Sequence, residues 1–190
     1  MPREDARDAL ILAPGAPVQT GNRPYATLPL GALVGSSSVR RQAQLLALRP
    51  DIQIETIRGN VETRLAKIIN HLSATTLLAI AGLRRLNMQS VASVILDSDV
   101  IVLASRQGIV GVTVREGDTR LRELFHRIRN HRAELAATAE RAALHALGGS
   151  CRTPIGAFAR FLASGNLYLV GLIARRRIVP METRRLRRFG

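Results

Sequence analysis

The chain has 190 residues, 46% of them hydrophobic, which suits a globular protein with a buried core and argues against disorder. Lysine and arginine number 28 against 14 acidic residues, a net charge of +14, yet aromatic residues make up only 3% and tryptophan is absent. That balance provides a field for anions but few platforms for stacking single-stranded bases.

No apolar run is long enough to span a membrane, and the charged opening Pro2-Arg3-Glu4-Asp5 lacks a secretory core. A single cysteine rules out an internal disulfide and fits a reducing, cytoplasmic setting.

In chain order, residues 1–13 read as the end of a unit that began earlier, and 14–29, rich in Pro, Gly and Thr, as a connector. An α/β rhythm follows. Residues 30–34 are a short apolar strand, 35–38 a tight loop, and 39–48 a helix stopped at Pro50. Residues 52–57 alternate as a strand does, and a helix is predicted from 61 to about 72. The apolar stretch 75–81 reads as a buried parallel strand, and 83–88 opens another helix. Two further strands are predicted at 100–103 and 109–114, either side of the turn Ser105-Arg106-Gln107-Gly108. Strands alternating with helices imply right-handed crossovers and a mostly parallel sheet, with ligands beyond the carboxyl ends of the strands.

From Asp118 the texture changes. Leu121, Leu124, Phe125 and Ile128 mark an amphipathic helix, 135–147 a second helix ended by Gly148, and 158–162 with 167–172 a hairpin across Ser164-Gly165-Asn166. The fold class is therefore α/β, a mostly parallel sheet domain followed by a smaller α+β unit.

Arginines cluster just after the predicted strand ends, where guanidinium forks suit carboxylates. Ser36, Ser37 and Ser38 precede a helix. They serve either as simple N-caps or, with Arg40 and Arg41, as an anion site at a positive helix end. Arg58, Asn60 and Arg64 flank a Gly-Asn turn, where Asn60 tolerates a left-handed backbone or donates to a ligand oxygen. Arg84 and Arg85 read as a solvated helix face, Arg84 the more so. Cys151, in Gly148-Gly149-Ser150-Cys151-Arg152-Thr153-Pro154-Ile155-Gly156, is by itself more often an inert small residue than a nucleophile. His71, His126, His131 and His145 lack metal-ligand spacing, so no metal site is expected.

Gly35-Ser36-Ser37-Ser38-Val39-Arg40-Arg41-Gln42, Arg58-Gly59-Asn60-Val61-Glu62-Thr63-Arg64 and the cysteine loop occur in one order, and together they resemble the porphobilinogen deaminase (hydroxymethylbilane synthase) family. The resemblance runs from the Pro2-Arg3-Glu4-Asp5 start to about Phe161 and fades over the last thirty or so residues. It implies a transferase of haem biosynthesis that joins four porphobilinogen molecules onto dipyrromethane, a cofactor held through Cys151, releasing ammonia at each step. It further implies that Ser36, Ser37, Ser38, Arg40, Arg41, Arg58, Asn60 and Arg64 hold cofactor carboxylates and that Arg85 guides the substrate carboxylate.

On the same footing, 14–103 would be a cradle domain like one lobe of a periplasmic-binding-protein-like pair. Residues 1–13 would be a remnant of a first domain and hinge, 104–126 a crossover returning to that domain, and 127–190 the domain carrying the cysteine loop. The family is expected to be monomeric, with no membrane and no specific nucleic acid as partners. Two departures stand out: the family's catalytic aspartate lies upstream of the matching stretch, and its Gly-Gln-Gly turn here reads Arg106-Gln107-Gly108. The expectation is an N-terminally truncated member. Two rival readings stay open, an inactive remnant of the family and a basic nucleic-acid-associated protein.

Overall fold

The run Asp8-Ala9-Leu10-Ile11-Leu12 becomes a wholly buried strand, β1 (Asp8–Leu12), inside a five-stranded sheet. The structure is a computed structural model that describes residues 1–16, 24–70, 75–150, 153–175 and 182–186. After β1 come β2 (Leu33–Gly35), α1 (Val39–Leu48), β3 (Gln53–Glu55), α2 (Val61–Ile69), β4 (Thr75–Ala79), α3 (Ile80–Arg85) and β5 (Val94–Ile95). The sheet order is β3-β2-β4-β1-β5. β2 is parallel to both β3 and β4, whereas β1 runs antiparallel to β4 and β5. The sheet is thus mixed, with four strands sharing one direction and β1 set against them.

Alternation along β1 builds both faces of the core at once. Leu10 and Leu12 join Val34, Leu45 of α1 and Leu77, while Ala9 and Ile11 join Leu65 of α2, Leu78, Ile80 and Leu83. Helices therefore cover the sheet on both sides, which is why β1 and β4 read as nearly continuous apolar runs.

Two predicted strands are not strands. Residues 100–103 are a buried connector, with Ile101, Val102 and Leu103 fully inaccessible. Side chains take the place of a ladder there: Val102 N–H donates to Gln44 Oε1 (2.7 Å), and its carbonyl accepts from Gln44 Nε2 (3.0 Å) and Arg40 (2.6 Å). Residues 109–114 have no strand beside them among the described residues, and Val110 and Val112 stay about half exposed. The strand predicted at 30–34 starts only at Leu33, because Leu30 is 89% exposed.

α4 (Thr119–His126) forms behind an Asp118 cap that accepts from Leu121 N–H at 2.9 Å, yet none of its residues is buried. Of its apolar stripe, Leu121 and Leu124 stay exposed, while Phe125, with Ile128, Ile109, Val110, Val112 and Val114, lines an open groove of about 700 Å³. No helix among the described residues is long and apolar enough to cross a membrane.

α5 (His131–Ala146), capped by Asn130, packs on a second, antiparallel sheet of β6 (Ile155–Phe161), β7 (Leu167–Arg175) and β8 (Glu182–Leu186). The predicted hairpin is present, turned at Gly165 with φ +84.

Several contacts join this unit to the rest of the chain, among them two at the 100–103 connector. Val102 packs with Val170 and Leu172, and Ala157 N–H donates to Leu103 O at 3.0 Å. At the crossing, a Cβ on Gly156 would stand 3.0 Å from Val102 Cγ1 and 3.1 Å from Leu103 O. Nearby, the fully buried Glu140 of α5 accepts from Arg3 (2.6 Å), from Ala159 N–H (2.7 Å) and from Arg106 N–H.

The crossing predicts a contrast between two strand glycines. Gly156→Ala should lower stability by about 1 kcal/mol as the connector is pushed aside. Gly171→Ala, where a Cβ meets nothing within 4 Å, should be neutral or slightly stabilising. Urea unfolding of both variants checks this, and equal losses would count against the close approach.

Candidate functional site

Because β2, β3 and β4 are parallel, the segments leaving their carboxyl ends gather at one edge of the sheet. Ser36–Arg41 follows β2, Arg58–Arg64 follows β3, and α3 with Arg84 and Arg85 follows β4. α1 and α2 also begin at this edge, so their positive ends add to the arginine charge.

The serines are committed to the loop. Ser36 is buried, its N–H donates to Glu55 O (2.8 Å) and its Oγ accepts from Ser38 N–H (3.2 Å). Ser37 Oγ donates to the Ile57 carbonyl, and Ser38 Oγ caps α1 by accepting from Arg41 N–H at 3.4 Å. At the next turn the left-handed position falls on Gly59 (φ +124) and not on Asn60, whose backbone is extended. A Cβ on Gly59 would lie 2.7 Å from Thr63 Cβ. Asn60 Oδ1 caps α2, accepting from Thr63 N–H and Thr63 Oγ1, each at 2.8 Å.

The arginines fall into two kinds. Arg40 and Arg41 are buried and converge on one carboxylate, Asp8, at the start of β1. Arg41 forms a fork, Nη2 at 2.7 Å from Oδ1 and Nε at 3.1 Å from Oδ2, while Arg40 Nη2 reaches Oδ2 at 3.0 Å and Gln107 Nε2 donates to Oδ1 at 2.7 Å. Burial alone would raise the Asp8 pKa, but the charges of Arg41 and Arg40 and the donated hydrogen bonds outweigh it and hold the carboxyl down to about 2.

Arg58, Arg64 and Arg85 are the freer kind. Arg58 and Arg85 are exposed and form no hydrogen bond or ion pair with the described residues. Arg64 is half-buried and, among the described residues, spends only Nε, on Gly59 O at 2.9 Å. Burial, and then the charge of Arg41, push its pKa down, which is the expected state of a guanidinium without an anion. Arg84 pairs with Glu4 (2.8 Å) and Asp5 (3.5 Å), in keeping with its reading as a surface residue.

Cys151 lies outside the described residues. On one side of it, Gly148 sits at φ +61 and Gly149 N–H donates to Leu144 O at 2.8 Å. Ser150 and Thr153 bond to one another, Ser150 N–H to Thr153 Oγ1 (2.6 Å) and Thr153 Oγ1 to Ser150 O (2.7 Å). The described residues contain no group of three or more His, Cys, Asp or Glu placed to hold a metal.

Asp8 and Gln107 were not singled out by the motifs, although they set where the two buried guanidiniums point. The signal was present in one form, a lone carboxylate opening an otherwise apolar strand, a position that demands a buried cation.

Asp8→Asn keeps the shape but strands two guanidiniums, and should cost about 3–5 kcal/mol. Because the folded pKa lies below the usual 3.8, this carboxylate's contribution is full above pH 3.8 and is lost as pH falls toward 2. Acid unfolding of the parent should show that loss, and Asp8→Asn should lack that part of the slope.

Comparison with known proteins bears on the same residues. A family model described as porphobilinogen deaminase, dipyromethane cofactor binding domain, matches residues 1–123, and one described as porphobilinogen deaminase, C-terminal domain, matches residues 134–184. The porphobilinogen deaminase of Roseiflexus castenholzii is 44% identical over 171 residues, covering 90% of this chain and 54% of that protein. That of Paracoccus denitrificans is 45% identical over 175 residues (92% and 53%), and that of Nitrobacter hamburgensis 43% over 173 residues (91% and 52%). The chain spans about half the length of the curated relatives it matches.

Proposed function

This chain belongs to the porphobilinogen deaminase family, and from that premise we propose that its arginine-lined sheet edge and single thiol serve a hydroxymethylbilane synthase-type transfer in tetrapyrrole biosynthesis. In this reading four porphobilinogen molecules are joined head to tail onto a dipyrromethane held through Cys151, with ammonia released at each addition. The observation that carries it is the gathering of under-used guanidiniums, Arg58, Arg64 and Arg85, beside two helix N-termini at one edge of the sheet.

The residues suit such a group. Each pyrrole brings an acetate and a propionate, so the ligand is a polyanion, and the edge offers arginines whose donors are mostly unspent. When bound, the two-pyrrole group would supply the terminal carbon to which the first unit is added. Cys151 would hold it by a thioether, a bond that survives turnover. Arg58 and Arg64 take its carboxylates, and Arg85 orients the incoming one.

Arg40 and Arg41, fixed by Asp8, contribute charge of set geometry and their remaining N–H groups, since a guanidinium has five donors. Ser36, Ser37, Ser38 and Asn60 shape the loops and turn amides toward the edge. Residues 14–103 then form the cradle lobe, and 127–190 the cysteine-loop domain. Residues 104–126 are a crossover to a second lobe, consistent with the exposed valines at 110 and 112.

Three acids of the N-terminal segment already have partners: Glu4 with Arg84, Asp5 with Arg7, and Asp8 with Arg40 and Arg41. None of these three is free to steady positive charge as ammonia departs, a task worth about 10²–10³ in rate for one preorganised group. This favours, as a second reading, a family member that binds the pyrrole group without turning over by itself.

Protein made in a haem-producing host should carry a mass increment matching dipyrromethane, absent from Cys151→Ser. Arg58→Leu and Arg64→Leu should each weaken loading by roughly 10–100-fold with little change in melting temperature, and Lys should restore only part. An unmodified mass in folded protein would remove the anchor role.

A second assay separates the two readings. Residues 1–190 alone should not form hydroxymethylbilane from porphobilinogen, whereas co-expression with the part of the Roseiflexus castenholzii relative that this chain does not match should restore turnover. Activity from residues 1–190 alone would make Glu4, Asp5 and Asp8 the next residues to replace.

A further inference from the structure

Beside the cysteine loop lies a second pocket, of about 410 Å³, lined by Arg106, Arg141, Ala142, Leu144, His145 and Gly149. Three of the six are basic and none is acidic. Arg141 and His145 are four apart on α5 and so share a face of that helix. Arg106 is brought to them by its own backbone, whose N–H donates to Glu140, the residue preceding Arg141. None of the three basic side chains makes a hydrogen bond or ion pair with the described residues.

A solvated basic surface is the plainer account, and two features weigh against it. Arg106 adopts φ +64, in the left-handed region where a side chain is strained and glycine is at ease. A bulky cation is thus held where the backbone favours glycine, and such strain marks functional positions. The negative end of α5 is also blunted, because the carbonyls of Ala143, Leu144 and His145 already accept from Leu147, Gly149 and Gly148 N–H. An anion beside His145 therefore does not face bare carbonyls.

We infer that Arg106, Arg141 and His145 form a carboxylate-binding pocket for a small molecule with short aliphatic arms, the arms lying against Ala142 and Leu144. Resting on the reading above, the occupant is an acetate or propionate arm of the pyrrole chain, since Gly149 is two residues from Cys151. A free dicarboxylate offers the same chemistry, and the two sources can be told apart.

The experiment uses the full chain and succinate as the probe, followed by amide chemical shifts. Saturable shifts are expected at Arg106, Arg141, His145 and Gly149. Arg106→Gly should weaken succinate binding about tenfold while raising the melting temperature by about 2–4 °C, because the strain goes and the backbone bond to Glu140 stays. A purely structural role for Arg106 would not move binding and stability in opposite directions. Arg141→Ala and His145→Ala should each weaken binding without that rise.

In protein loaded at Cys151, succinate affinity about tenfold lower assigns the pocket to the pyrrole arm, and unchanged affinity assigns it to a free dicarboxylate. If Cys151 carries no group at all, the reading above fails while succinate binding still tests the pocket. No saturable shift in the parent, or parent-like affinity in Arg106→Gly, overturns the proposal.

Discussion

The Asp8 carboxylate, wholly inside the protein beneath Arg40, Arg41 and Gln107, is the constraint from which the rest follows. An isolated charge at that depth is not tolerated, so the first strand, the first helix and the 106–108 turn must meet in one arrangement. Arg40 reaches on to the carbonyl of Val102 and Arg41 to that of Leu77, so the same charges fix the connector and the middle of the sheet. The result is specific more than strong. Three cationic or polar groups from distant segments share one anion, and no shifted register satisfies them all.

A second buried carboxylate, Glu140, does the same one layer away, collecting Arg3, the Arg106 amide and the Ala159 amide. The two are coupled, since Arg3 also donates to the Gln107 carbonyl (2.9 Å) while the Gln107 amide serves Asp8. The N-terminal segment and the 106–108 turn are therefore clamped between two anions. Gly108 completes the fit, because a Cβ there would stand 2.7 Å from the Glu4 carbonyl. The sheet edge with its arginines and the α5 unit with the cysteine loop share this one polar seam.

Local chemistry made much of this legible in sequence. Ser38 and Asn60 are true caps, so α1 and α2 begin where the sequence placed them, and Pro50 closes the first. The arginines at the edge were found because parallel strands put their ends together. What escaped was non-local. In sequence the apolar run at 100–103 looks like a strand, and only the Gln44 and Arg40 side chains, some sixty residues away, show that its hydrogen bonds go elsewhere. The pattern at 109–114 is a strand pattern in full, but a strand needs a neighbour, and pattern alone does not supply one. The apolar stripe of α4 misleads in the same way, since amphipathicity records a wish for cover and not its presence.

The exposed run at 109–114 has a consequence for how the protein behaves in a tube. A stretch without a ladder partner among the described residues, with exposed Val110 and Val112 on alternate positions, is a template for stacking, the same run in another copy included. Against that stands the mutual repulsion of copies at a net charge of +14. That repulsion reaches about 10 Å at 0.1 M salt and only about 3 Å at 1 M. Salt therefore acts on this run in the unusual direction: raising ionic strength lowers the electrostatic barrier to contact between copies.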